Sequence, residues 1–223
     1  MSRHEQNQKP RKTAVSPQFF GKRVRSFFIF SLEDVSAYLR EAERRGVLAI
    51  FSLELCTGLR KGELTALLWE DLNAEQGTLR VDKQAQSVPG GGVKVTRPKT
   101  ETSIRTLSVS KEVVRLLEEE HAKHPDTPYM FPSPVTGGMY YPDSINRLHE
   151  NILKGAGLKH IRLHDMRHTA ASLMLQNGVD IKTVSEMLGH YDAGFTLRTY
   201  THTTSRQQKQ AADMMGSLMA QSM

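Results

Sequence analysis

At 223 residues the chain is long enough for one domain with a well-buried core and too short for two large ones. A hydrophobic content of 38% and a mean hydropathy of -0.46 are those of a soluble protein. No apolar run approaches the ~20 residues that cross a bilayer, and the polar stretch Met1 to Lys12 lacks a signal-peptide core, so no membrane partner is expected and the cytoplasm is the expected address.

The formal charge of +6 is unevenly placed: residues 1–30 hold seven basic residues against Glu5 alone, and the remainder is balanced. A basic leader of this composition suits a polyanionic partner, along whose phosphates it can lie, or serves as a solubilising tail. One cysteine, Cys56, rules out an internal disulfide and fits a reducing compartment. Its apolar surroundings, Phe51 to Leu59, suit a buried helix residue better than a nucleophile.

Past the leader, Ser31 and Asp34 before an apolar-periodic stretch predict a capping box and a helix that stops at Gly46. A largely buried helix is expected from Val47 to Cys56 and a third from Lys61 to Trp69. From Thr78 to Val109 the apolar period becomes two. T-L-R-V-D, V-K-V-T-R-P and I-R-T-L-S-V read as three strands of a small antiparallel sheet, with P-G-G-G at Pro89 to Gly92 turning between the first two. Helices are then expected over Lys111–Lys123, Pro142–Gly155, His164–Asn177, Ile181–Leu188 and Thr204–Ala220. The class is therefore α+β and mainly α-helical, with no internal repeat.

Chemistry-bearing residues can be set on this frame. Arg60 lies in T-G-L-R-K-G-E-L, where Gly58 bends the chain between two helices and Glu63 follows at i+3. A lone arginine is usually a surface residue, but its planar fork is the side chain best matched to two phosphate oxygens. Glu63 reads as its orienting neighbour or as a helix-start carboxylate. Lys99 lies in R-P-K-T-E-T-S-I-R between the second and third expected strands. A lysine there can hand a proton to a leaving oxygen, although Lys94, Arg97 and Arg105 compete for the position.

His164 and Arg167 share a helix face at i, i+3. His164 and His168, at i, i+4 with Asp165 between, only weakly match the zinc helix H-E-x-x-H, since aspartate is short and no third ligand is evident. His168 is assigned a structural role. His190 follows Gly189 in L-G-H, and Tyr200 lies in F-T-L-R-T-Y-T-H. Tyrosines usually pack; Tyr200 stands out by its company, whereas Tyr191 belongs to the turn.

The four boxes T-G-L-R-K-G-E-L, H-D-M-R-H-T, L-G-H and T-L-R-T-Y-T-H, in this order, resemble the catalytic domain of the tyrosine recombinases, in particular the integrases of phages and conjugative transposons. The likeness covers about residues 31 to 215. It implies the tyrosine-recombinase catalytic fold with a three-stranded antiparallel sheet. It also implies Arg60 and Arg167 as the phosphate-clamping arginines, Lys99 as the hairpin lysine, His164 and His190 as the histidines, and Tyr200 as the nucleophile. The implied activity is site-specific cleavage and rejoining of DNA through a covalent 3′-phosphotyrosine, without ATP, metal or other cofactor. Type IB topoisomerase-like relaxation and a non-catalytic DNA-binding fragment are the alternatives.

Implied partners are double-stranded DNA, other protomers in a tetrameric synapse and accessory DNA-bending proteins. Residues 1–30 are expected to be a basic interdomain linker, 31–203 the catalytic domain, and 204–223 a helical tail exchanged between protomers or packed on its own domain. The resemblance implies a clamp in complete integrases, with a helical core-binding domain and often an arm-binding domain before the catalytic part; thirty leader residues cannot supply either, so weak, salt-sensitive DNA binding is expected.

Overall fold

The computed structural model describes residues 28–98 and 103–190, together with 194, 212–215, 217, 219 and 220. Seven α-helices and five short strands follow one another up to residue 190: α1 (Leu32–Arg44), α2 (Leu48–Thr57), α3 (Lys61–Thr65), β1 (Leu72–Asn73), β2 (Thr78–Val81), β3 (Gln84–Ser87), β4 (Val93–Thr96), β5 (Arg105–Ser108), α4 (Lys111–Lys123), α5 (Pro142–Gly155), α6 (Leu163–Gln176) and α7 (Ile181–Leu188).

The start of α1 is the capping box expected of its sequence: Ser31 Oγ accepts from Asp34 N at 3.2 Å and Asp34 accepts from Ser31 N at 3.0 Å. Just before it, Phe30 is buried in the core and its amide donates to Thr169 Oγ1 at 3.3 Å, so the last residue assigned to the leader is part of the packed body. The helix α2 is apolar on every side and buried accordingly, packing against α1, α4 and α6. The helices α4, α5 and α7 run over the residues expected of them.

Two local readings are corrected. The expected third helix ends early: α3 stops at Thr65, and Trp69 opens a short 3₁₀ turn, Trp69–Asp71, whose Asp71 accepts from the amide of Leu68 just before the turn. The sheet also has different members. Thr78–Val81 pairs directly with Arg105–Ser108, antiparallel, and β1 completes a three-stranded sheet in the order β1-β2-β5. The segment V-K-V-T instead pairs with Gln84–Ser87 in a separate two-stranded hairpin, so Pro89 to Gly92 turns between β3 and β4. The polar Q-A-Q-S of β3 shows no apolar alternation. Only Ala85 of that strand is buried, against α3.

One large apolar cluster gathers α1, α2, β2, β5, α4, α5 and the first turn of α6. A second, smaller one joins Ala171 and Leu175 of α6 to Val184 and Leu188 of α7. The helix α6 therefore spans both clusters, and residues 164–168 sit where they meet. The expected tail helix, Thr204–Ala220, falls mostly outside the described residues; 212–215 are helical. No helix among the described residues is long and apolar enough to cross a membrane.

Candidate active site

The corner between α2 and α3 is set by Gly58. Its φ of 64° caps α2 in the left-handed region, and a Cβ built there would lie 2.6 Å from Leu188 Cδ2. Two residues on, Arg60 caps α3, with its side chain 37% exposed. Glu63, only 2% exposed, accepts from the Arg60 amide at 2.9 Å and from Arg60 Nη1 at 3.0 Å, while Arg60 Nη2 points to the Gly189 carbonyl at 3.4 Å. Glu63 thus fills both roles expected of it.

Along α6, Arg167 is 2% exposed and donates to the carbonyl oxygens of Gly58 and Leu188, stitching the α2–α3 corner to the end of α7. One turn earlier His164 faces the opening, and its ring meets that of His168 edge-on with centroids 5.1 Å apart. The first turn of α6 is held by Asp165, which accepts from the Arg162 amide at 3.1 Å and from its guanidinium at 2.7 Å. Behind the loop before α6, His149 bridges Tyr38 Oη (2.9 Å) and the Ile161 carbonyl (3.0 Å). Since the carbonyl can only accept, Nε2 carries the proton and Nδ1 accepts from the tyrosine.

His190 follows the left-handed cap Gly189 at the end of α7, its amide donating to Ser185 O at 3.0 Å. Burial and then the charges of Arg167 and Arg60 push this imidazole down to about 4. Burial and the neighbouring His164 do the same to His168, also to about 4. His164 is lowered as well, by partial dehydration and then by Arg167. All three rings are therefore neutral at pH 7 beside arginines, a cationic pocket in which an arriving anion would raise the imidazole pKa values again.

A cleft of about 390 Å³ opens beside the first turn of α6, with Arg60, Lys61, His160, His164 and Arg167 in its walls and Glu54 beneath. Glu54 is fully buried, one carboxylate oxygen has no hydrogen-bond partner, and burial raises its pKa well above the usual range. The structure thus brings Arg60, His164, Arg167 and His190 together from three separate segments. Lys99 and Tyr200 lie outside the described residues, as does Tyr191. Among the described residues no group of three or more histidine, cysteine or acidic side chains is placed to hold a metal ion.

Sequence reading missed one participant. Arg105 was only a competitor for the lysine position, yet its guanidinium is 7% exposed and makes a two-pronged pair with Glu63, both distances 3.0 Å. Its signal was its phase. In β5 it lies on the same side as buried Leu107, where an apolar residue is the norm.

The chain is thus mainly helical with a small antiparallel sheet, and it gathers two arginines and two histidines from three segments into one region. Over residues 32–207 the sequence matches the phage integrase family, and the chain belongs to it. It is 29% identical over 211 residues to a tyrosine recombinase XerC-like protein of Caldanaerobacter subterraneus subsp. tengcongensis, covering 85% of this chain and 54% of that one. It is 33% identical over 180 residues to the ICEBs1 integrase of Bacillus subtilis, covering 76% and 48% respectively. The chain spans about half the length of these curated relatives. Among solved structures, the Tn1549 transposon integrase in complex with a circular intermediate DNA superposes with a TM-score of 0.72 at 18% identity, over 82% of this chain and 66% of that one. The XerA recombinase gives 0.68 at 24% identity, over 82% and 65%. The fold is the tyrosine-recombinase catalytic fold.

Proposed function

We propose that this chain cuts and rejoins DNA strands as the catalytic part of a site-specific recombinase, integrating or excising a mobile element. The observation that carries the reading is the convergence of Arg60, His164 and Arg167 on one cleft, with His190 close enough to feel both arginine charges, in a chain of the phage integrase family. In this scheme a backbone phosphate of double-stranded DNA enters the cleft, meeting exposed Arg60 and His164 first and Arg167 from beneath. The arginines counter charge on the non-bridging oxygens of the transition state, the task a metal ion performs in many nucleases.

Tyr200 supplies the nucleophile. Its Oη forms a bond to phosphorus as the bond to the 5′-oxygen breaks, leaving a 3′-phosphotyrosine. The phenol proton passes to His164, which is neutral at pH 7 and so able to accept it, and Lys99 gives a proton to the departing oxygen. His190, also neutral, donates its one N–H to a non-bridging oxygen. A 5′-hydroxyl from a partner strand reverses the step, which conserves the bond energy. Four protomers hold the synapse, accessory DNA-bending proteins assist, the basic leader ahead of Phe28 follows the DNA backbone, residues up to 203 do the chemistry, and the tail from 204 to 223 is exchanged between neighbours. The reaction takes place in the cytoplasm.

The test is junction formation. Incubated with DNA carrying paired recombination sites, the protein yields four-way junctions and exchanged strands, and Tyr200→Phe yields neither. Relaxation of supercoils without junctions would overturn the recombinase reading.

A further inference from the structure

We propose that Arg105 is a positioning residue which sets Arg60 and His190 jointly, so that the phosphate clamp and the histidine turn hold one geometry. The inference rests on the recombinase reading for what the geometry accomplishes.

The guanidinium reaches three segments at once. Nη1 and Nη2 pair with the two oxygens of Glu63, each at 3.0 Å, and Glu63 in turn holds both the amide and the guanidinium of Arg60. On its other edge Nε donates to the Met187 carbonyl at 2.7 Å, in the last turn of α7 before His190. Nη1 also reaches the Ser103 carbonyl at 3.1 Å, at the near end of the connection that carries Lys99. The plane of the group lies close against Gly189: a Cβ there would sit 3.1 Å from Nη1 and 3.2 Å from Cζ. Any side chain at Gly189 would therefore push on Arg105, and any shift of Arg105 is felt at the turn bearing His190.

Stability alone does not account for this arrangement. A buried ion pair spends desolvation energy that an apolar pair of similar volume would not, and the inward phase of β5 invites an apolar residue. What the pair provides is direction. A planar fork fixes a carboxylate along one edge and a carbonyl along another, whereas an ammonium is a point charge that can serve only one of them well. Burial pushes Glu63 upward, but Arg105 and then Arg60 hold its carboxyl below the ordinary range, so the bridge stays ionised at neutral pH.

Arg105→Lys keeps the charge and removes the fork, and Glu63→Gln removes the charge and one of the two acceptor oxygens that join Arg105 to Arg60 while leaving Nε on Met187. Two readouts are taken on the full chain. The first is the single-turnover cleavage rate at saturating DNA, alongside the dissociation constant. The second is the ring proton NMR signals of His190 in the free protein, assigned with His190→Gln.

Expected for Arg105→Lys are a folded protein, DNA affinity within about threefold of the parent, a cleavage rate about 100-fold lower, and displaced His190 signals. Glu63→Gln gives a comparable loss of rate with a smaller His190 displacement. A parental cleavage rate in Arg105→Lys overturns the proposal, and so do His190 signals that stay put. If the parent protein itself cleaves nothing, the recombinase reading fails, and the His190 signals alone decide whether Arg105 positions that turn.

Discussion

Gly58→Ala is the substitution from which most can be computed. At φ 64° an alanine adopts the left-handed region at a cost of about 1–2 kcal/mol. Its Cβ would stand 2.6 Å from Leu188 Cδ2, about 1 Å inside ordinary carbon contact, and Leu188 is fully buried, so relief requires moving the end of α7. Overpacking of this kind adds about 1–3 kcal/mol. The total, about 2–5 kcal/mol, lowers the melting temperature of a domain this size by roughly 4–20 °C. Gly58 and Leu188 also supply the two carbonyls that hold Arg167, so a displacement of about 1 Å also disturbs the clamp and slows cleavage by about 100-fold at temperatures where the protein is still folded. Gly46→Ala is the control, since its φ of 72° carries the conformational cost but nothing lies within 4 Å of the new methyl. Calorimetry and single-turnover cleavage are measured on both variants. If Gly58→Ala cleaves at the rate of Gly46→Ala, the coupling of the α2–α3 corner to Arg167 is refuted.

Other outcomes follow from the same structure. His168, held near 4 when folded against an ordinary 6.5, binds its proton more readily unfolded. Stability therefore falls as pH drops from 6.5 toward 4, by up to about 3 kcal/mol, and denaturant titrations at pH 7 and 4 should show a smaller difference in His168→Gln. Glu54 has the opposite sign. Its raised pKa means that its contribution is fully present below the unfolded value of 4.5 and is lost as pH rises. Glu54→Gln is accordingly expected to raise the melting temperature more at pH 8 than at pH 4, and an equal change at both would show that the carboxyl does not titrate as argued. Cleavage is expected to persist in excess chelator, because arginines take the metal's place at the phosphate; activity lost to chelator and restored by magnesium would contradict this.

The parts of the fold that were legible in the sequence had local causes. Ser110 and Asp180 cap α4 and α7 with side-chain oxygens, and Pro142 opens α5, so each boundary was written at the boundary itself. The sheet was harder, because β3 owes its existence to what it packs against: Ala85 lies on α3, and Ser87 Oγ shares Asp143 of α5 with Lys61. No periodicity within Q-A-Q-S carries that information. At the site, Arg60, His164, Arg167 and His190 could be nominated from their places in the four family-like boxes, but their meeting depends on Gly58 and Leu188 offering carbonyls to one buried guanidinium. That is a tertiary fact. Arg105 was within reach of the sequence, since an arginine in phase with Leu107 marks a buried charge that needs a partner.

The chemistry is tested most directly by trapping it. Incubating the protein with a pool of duplexes of random sequence, each nicked so that the released fragment diffuses away, accumulates any covalent intermediate, which peptide mass spectrometry then locates. The expected result is a DNA 3′-phosphate esterified to Tyr200, absent from Tyr200→Phe and strongly reduced in Arg60→Ala. An adduct on another residue, or equal adduct in the Tyr200→Phe protein, would contradict the account at its centre.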